Sequence, residues 1–320
     1  MQRCAAGPEP MNAVPESLAA TSGTNSVLPR DERAALADIA FGSLSRAGES
    51  GAEAGRHLAF LPADALELDL DDPAQRHFGD YELLERIGEG GMGVVYRARQ
   101  ASLDREVAIK LLAAGPWASR EFIARFLGEA QHAARMQHPN IVTVYEVGAF
   151  EDLHYFSMRL VRGSNLALAL RHEGRFEPRR VAVLMRTVAE AVAYAHSLGV
   201  LHLDLKPANV LLDEGGTPHV ADFGLARKFD TLLAQGNTEI SGTPSYMAPE
   251  QAELGAQPLT PATDVWGLGA ILYELVTGRP PFHGGTAQQT LKLLREGQVR
   301  RPRRERPDLP LDLEAVILKA

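Results

Sequence analysis

Between residues 81 and 161, apolar positions come in short runs rather than in helical stripes. "YELLERIG" and "GVVYRARQ" lie on either side of a glycine turn and predict two strands. "EVAIKLLA" predicts a third, and "IVTVYEVGAF" and "LHYFSMRLV" predict two more. Between the third and fourth, "SREFIARFLGEAQHAARM" predicts a helix over 119–136. Beyond 162 the period lengthens. Leu184, Val188 and Val192 stand four apart and give 180–198 one apolar helical face. "NVLLDEGGTPHVADFG" predicts a hairpin turning at Gly215 and Gly216, and the strongly apolar "DVWGLGAILYELVTG" predicts a buried helix. The pattern predicts an α+β chain with two lobes, β-rich over 81–161 and mainly α-helical over 162–320. A cleft between two such lobes is a natural ligand site.

Residues 1–80 lack this periodicity. They are rich in Ala, Gly, Ser, Pro and acids, and read as a low-complexity acidic extension. One short helix is predicted from Asp31, with Leu36, Ile39 and Ala40 on one side, and alone it would be marginal in water. The extension reads as a flexible leader, with a regulatory or docking segment as the rival reading.

Charge and composition narrow the function. A formal net charge of -8 argues against a general nucleic-acid binder. Arg300, Arg301, Arg303, Arg304 and Arg306 form one basic cluster, interrupted by prolines and read as a solvated loop, with a basic docking site as the alternative. Cys4 is the only cysteine, so no internal disulfide can form, and a reducing, cytoplasmic setting is expected. Neither a secretory signal nor a membrane-spanning segment is expected in these residues.

The chemistry-bearing residues lie along the two lobes. "IGEGGMGVVY" holds Gly88, Gly90 and Gly93, which would let backbone amides approach a phosphate. A dinucleotide fingerprint should open a helix, whereas strand-like residues follow here. A flap over ATP phosphates is the better reading, and a plain glycine hairpin the bland one. Lys110 sits in an apolar strand, where a bare ammonium is costly and needs a counter-ion or ligand. Glu129 is the expected partner, and Glu121, near the start of its helix, is the weaker candidate. Asp222 and Asn209 offer oxygen atoms suited to Mg²⁺. Asp204 lies five residues before Asn209 and would accept or orient a hydroxyl proton, with Lys206 between them to neutralise developing charge. His202 is expected to be a structural hydrogen-bonding residue.

Taken together, "GEGGMGVV", "VAIK", "HPNIV", "HLDLKPAN", "DFG", "GTPSYMAPE", "DVWGLG" and "LVTGRPPF" stand in the order of the eukaryotic-type protein kinases. The chain resembles the bacterial Ser/Thr branch of that family over residues 81–320. The resemblance implies transfer of the γ-phosphoryl group of Mg-ATP, with Mn²⁺ as a substitute metal, to a protein serine or threonine. It implies Asp204 as the base, Lys206 as its companion, and Lys110 paired with Glu129. Asn209 and Asp222 would be the metal ligands. Met158 would stand behind adenine, backbone groups of Arg159 and Val161 would bond its edge, and Ile87, Val95, Ala108 and Leu211 would enclose the base. Thr243 would lie at the peptide-docking segment, and Thr231, Thr238 and Ser241 are candidate phosphosites.

Two departures from the family pattern stand out. Leu203 occupies the place of an arginine that normally pairs with a phosphorylated activation segment, and leucine cannot make that bond. The second is the end of the chain. "LPLDLEAVILKA" reads as a helix just begun, with no counterpart of the family's late arginine partner for Glu250, so the helical lobe is expected to be truncated; the alternatives are completion by another chain, or local water and rearrangement that satisfy Glu250. The alternatives are a pseudokinase or scaffold that binds without transferring, a small-molecule phosphotransferase and, most weakly, a dinucleotide oxidoreductase.

Overall fold

The structure, a computed structural model, describes residues 68, 70, 72, 76–90, 93–112, 134–150, 153–223, 244–252 and 258–320. Six strands form the first sheet: β1 (His77–Phe78), β2 (Tyr81–Gly90), β3 (Gly93–Gln100), β4 (Arg105–Leu112), β5 (Val144–Phe150) and β6 (Leu153–Arg159). Their order is β1-β2-β3-β4-β6-β5, with antiparallel pairing throughout.

Because alternate residues of a strand face opposite ways, the register sorts the side chains. Val95 pairs with Lys110, Lys110 with Phe156, and Ala108 with Met158, so these residues share one face. Val94, Tyr96, Val107, Ile109, Leu111 and Tyr155 take the other face and form a buried core. The sheet curls round that core. The Phe78 ring, on the first strand, meets Phe150 on the last with centroids 4.9 Å apart. Leu68 and Leu70, ahead of the first strand, also pack on this core. The sheet thus draws in residues that precede Tyr81, where the sequence pattern began.

The second lobe opens with a three-stranded sheet of β7 (Gly163–Asn165), β8 (Val210–Asp213) and β9 (Pro218–Val220). The β8–β9 hairpin turns at the predicted glycines, with Gly216 at φ 78. Helices follow the apolar periodicity: α1 (Leu166–Glu173), α2 (Pro178–Ser197), α3 (Pro249–Ala252), α4 (Pro261–Thr277), α5 (Ala287–Glu296), α6 (Pro302–Glu305) and α7 (Leu311–Lys319). Val181, Leu184, Val188 and Val192 of α2 pack in one core with Ile271, Leu275 and Val276 of α4. Each such buried side chain contributes about 1.5–3 kcal/mol. Helix α4 starts at a capping box formed by Thr260 and Thr263 and ends at Gly278 in the left-handed conformation.

Arg306 corrects the solvated-loop reading of the basic cluster. Its side chain is buried, and its guanidinium donates to the carbonyls of Phe176 and Val276 and to Asp308. Arg279 and Arg300 both pair with Glu305. Of that cluster, Arg300, Arg301 and Arg304 are exposed.

Candidate active site

The catalytic-loop candidates follow one another over 202–209, between α2 and β8. His202 is fully buried; its Nε2 donates to the Ala221 carbonyl at 2.9 Å and its Nδ1 accepts the Asp204 N–H at 3.2 Å. This is the structural role expected of it. Asp264, at the start of α4 and 1% exposed, accepts the backbone N–H groups of His202 and Leu203 at 2.8 and 2.7 Å. The same carboxylate faces His196 Nε2 at 2.7 Å. Helix α4 comes this close because residue 267 is glycine: a Cβ there would meet the Leu205 Cβ at 2.8 Å.

On this base three predicted residues meet. Lys206 Nζ lies 3.0 Å from Asp204 Oδ2. Asn209 Nδ2 donates to the Asp204 carbonyl at 2.7 Å and to its Oδ2 at 3.1 Å. The amide nitrogen of Asn209 is thereby engaged, and its side-chain carbonyl is the atom suited to a cation. The Ala221 N–H donates to the Asn209 carbonyl at 2.9 Å, so the end of the β8–β9 hairpin brings Asp222 beside this loop.

Asp222 Oδ1 in turn lies 3.1 Å from Lys110 Nζ, joining the two lobes. Lys110 is 2% and Asp222 15% exposed at the side chain, so both are largely withdrawn from water. The Lys110 ammonium also stands 5.7 Å from the Phe156 ring centroid. Asp222, at φ 60, and Leu203, at φ 63, occupy the left-handed region that residues with a Cβ avoid. Such conformations are held by their surroundings, and they concentrate at functional sites.

The donor set fits Mg²⁺. The Asp222 carboxylate and the Asn209 carbonyl are hard oxygen ligands, and Mg²⁺ commonly takes one or two carboxylates and completes its shell with water and phosphate.

Of the residues expected round adenine, Val95, Ala108 and Met158 lie on the Lys110 face of the sheet. Ile87 lies at an irregularity of β2, and Leu211 lies in β8 opposite Asn165. Gly88 and Gly90 lie at the end of β2 and Gly93 opens β3, paired with Gly90; Gly93 is required there, because at φ 145 its Cβ would stand 1.9 Å from the Leu111 carbonyl oxygen. A cavity of about 530 Å³ runs along Arg159, Leu160, Val161 and Arg162, bounded also by Glu106 and by Asp213 to Gly215. Ile87, Val95, Ala108, Met158 and Leu211 do not line it. Glu121, Glu129, Thr231, Thr238, Ser241 and Thr243 lie outside the described residues.

Glu250 has found another partner. The Thr263 hydroxyl donates to its Oε1 at 2.7 Å. The sequence reading missed the links made by His196, Gln251 and Thr263, and it gave Asp264, the first residue of "DVWGLG" within helix α4, no role.

Comparison with known proteins agrees with this geometry. The protein kinase domain family matches residues 81–311. The serine/threonine-protein kinase PrkC of Bacillus subtilis is 37% identical over 246 residues, 77% of this chain and 38% of that protein. PkaA of Streptomyces coelicolor is 41% identical over 236 residues, covering 69% of this chain and 43% of the relative. PknB of Mycobacterium tuberculosis is 37% identical over 255 residues, covering 76% and 40%. The chain thus spans about two fifths of the length of these curated relatives. No helix among the described residues is long and apolar enough to cross a membrane. With a curled sheet lobe, a helical lobe, and Lys110, Asp204, Asn209 and Asp222 gathered between them, the chain belongs to the protein kinase family, in its bacterial serine/threonine branch.

Proposed function

We propose that this chain is an ATP-dependent protein serine/threonine kinase, with Asp204 accepting the proton of the attacking hydroxyl. The observation that carries the reading is the single linked site: Lys206 and Asn209 on Asp204, Asn209 tied to Ala221, and Asp222 holding Lys110. The hydroxyl oxygen forms the new bond to the γ-phosphorus as the bond to the β-phosphate oxygen breaks. Asp204 takes the released proton, and Lys206 offsets charge on the transferred group. Lys110 orients the α- and β-phosphates. Asn209 and Asp222 would hold the metal, which supplies electrostatic stabilisation of the phosphates when bound. Val95, Ala108, Met158, Leu211 and Ile87 would enclose adenine, and backbone groups of Arg159 and Val161 would bond its edge. Glu129 is the expected further partner of Lys110, and Thr243 the contact of the peptide-docking segment.

The substrates are proteins with serine or threonine acceptors, and the setting is cytoplasmic; a lone cysteine suits a reducing compartment. Transfer of radiolabelled γ-phosphate to a generic acceptor protein tests the reading, with Asp204→Asn alongside. Signal above that variant supports a kinase, and equal background from both overturns the reading in favour of a binding module.

A further inference from the structure

The carbonyl of Leu203 has an unusual partner. Gln251 Nε2 donates to it at 2.8 Å, across 48 residues of chain. The same side chain accepts the Ala248 N–H at 3.0 Å through Oε1, and the Gln251 backbone N–H donates to the Ala248 carbonyl at 3.0 Å. Gln251 is therefore fixed on Ala248 by two bonds and extends its amide to the catalytic loop. A carboxylate of the same shape could not do both jobs, because it has no N–H to donate.

That contact bears on Asp204 directly. The Leu203 carbonyl and the Asp204 N–H belong to one peptide group, which is planar and rigid. Gln251 holds its oxygen, and His202 Nδ1 holds its N–H at 3.2 Å. The preceding peptide is held in turn, its Leu203 N–H bonded to Asp264 at 2.7 Å. Leu203 lies between these two peptides at φ 63, a conformation its Cβ disfavours. Released from Gln251, the plane could rotate toward ordinary backbone angles, and the Asp204 carboxylate would turn with it.

We propose that Gln251 is a positioning residue for phosphoryl transfer, its amide locking the 203–204 peptide and so the aim of Asp204, while coupling that aim to Ala248. The inference rests on the kinase reading. The link is uncharged and needs no phosphate. Ala248 follows Pro244 to Tyr246 in the chain, so a shift there is passed to the base through one side chain.

Gln251→Leu and Gln251→Glu test this in the full chain, with kcat and the KM for ATP measured from pH 5 to 8. Gln251→Leu is expected to lower kcat at least tenfold with the ATP KM within twofold, because the nucleotide contacts are untouched. Gln251→Glu is expected to show a similar loss at pH 8 and to recover relative to wild type as the pH falls. A protonated glutamic acid regains a donor for the Leu203 carbonyl, and a merely structural glutamine would not produce that recovery. Active wild type with either variant within twofold of it at pH 8, or Gln251→Glu showing no recovery, overturns the inference alone. An inactive wild type overturns the kinase reading and the positioning role with it.

Discussion

The Lys110 ammonium stands 3.1 Å from the Asp222 carboxylate, and 112 residues of chain separate them. One belongs to the curled sheet and the other follows β9, so this pair ties the lobes at the point where triphosphate is expected. Lys110→Met removes the cation that the phosphates require. Transfer should fall about 10²–10³-fold, the usual loss when one preorganised electrostatic donor is deleted. Circular dichroism should retain the secondary structure of the wild type.

Asp222→Asn keeps the shape of the side chain and removes its charge. Mg-nucleotide affinity should fall while affinity for metal-free nucleotide changes little. Titration of a fluorescent ATP analogue with and without Mg²⁺ distinguishes the two. Equal losses in both conditions would assign Asp222 to nucleotide contact rather than to the metal.

Glu274 gives the helical lobe a dependence on pH. Burial pushes its carboxyl up to about 6 from the ordinary 4.5, against the opposing effect of the Tyr246 hydroxyl, which donates to it at 2.6 Å. The folded state therefore binds the proton more tightly than the unfolded state. The stabilisation is fully present below about pH 4.5 and is lost as pH rises through 6, a change of up to about 2 kcal/mol. Urea unfolding at several pH values should show this slope, and Glu274→Gln should remove that part of it.

Removal of residues 1–80 tests where the folded sheet begins. Such a chain loses Phe78, which is 4% exposed, and the packing of Leu68 and Leu70 on the same core. A loss of about 2–4 kcal/mol is expected, since each well-buried apolar side chain is worth about 1.5–3 kcal/mol and the leucines are only partly covered. A chain starting at residue 66 should melt with the full-length protein. Equal melting of both truncated chains would show that this packing adds nothing.

Leu203 is a buried apolar residue at a place where the family usually carries arginine. Dephosphorylated enzyme should work within tenfold of autophosphorylated enzyme, because leucine cannot bond a phosphate. A hundredfold gain that disappears on substitution of Thr231, Thr238 or Ser241 would defeat that expectation.

Much of the fold was legible from local pattern. The spacing of Leu184, Val188 and Val192 gave helix α2 its buried face, and the glycine pair at 215 and 216 gave the β8–β9 turn. The described centre was legible as well, since Asp204, Lys206 and Asn209 lie within one short loop. What escaped were polar partners distant in sequence. Periodicity tells which face of an element is apolar, but not which remote carbonyl an amide or guanidinium will reach. Arg306 reads as solvent-facing among its basic neighbours, yet it ends on Phe176 and Val276. Gln251 has no local signal at all, because its significance depends on a backbone carbonyl 48 residues away.

The meeting of Phe78 with Phe150 also bears on how this protein associates with others. Unpaired strand borders invite a neighbouring molecule to add its own strand. Here one border is a strand of only two residues whose ring leans on the opposite border. A two-residue strand offers little backbone of its own for such an addition, so pairing of a second chain along His77–Phe78 is disfavoured.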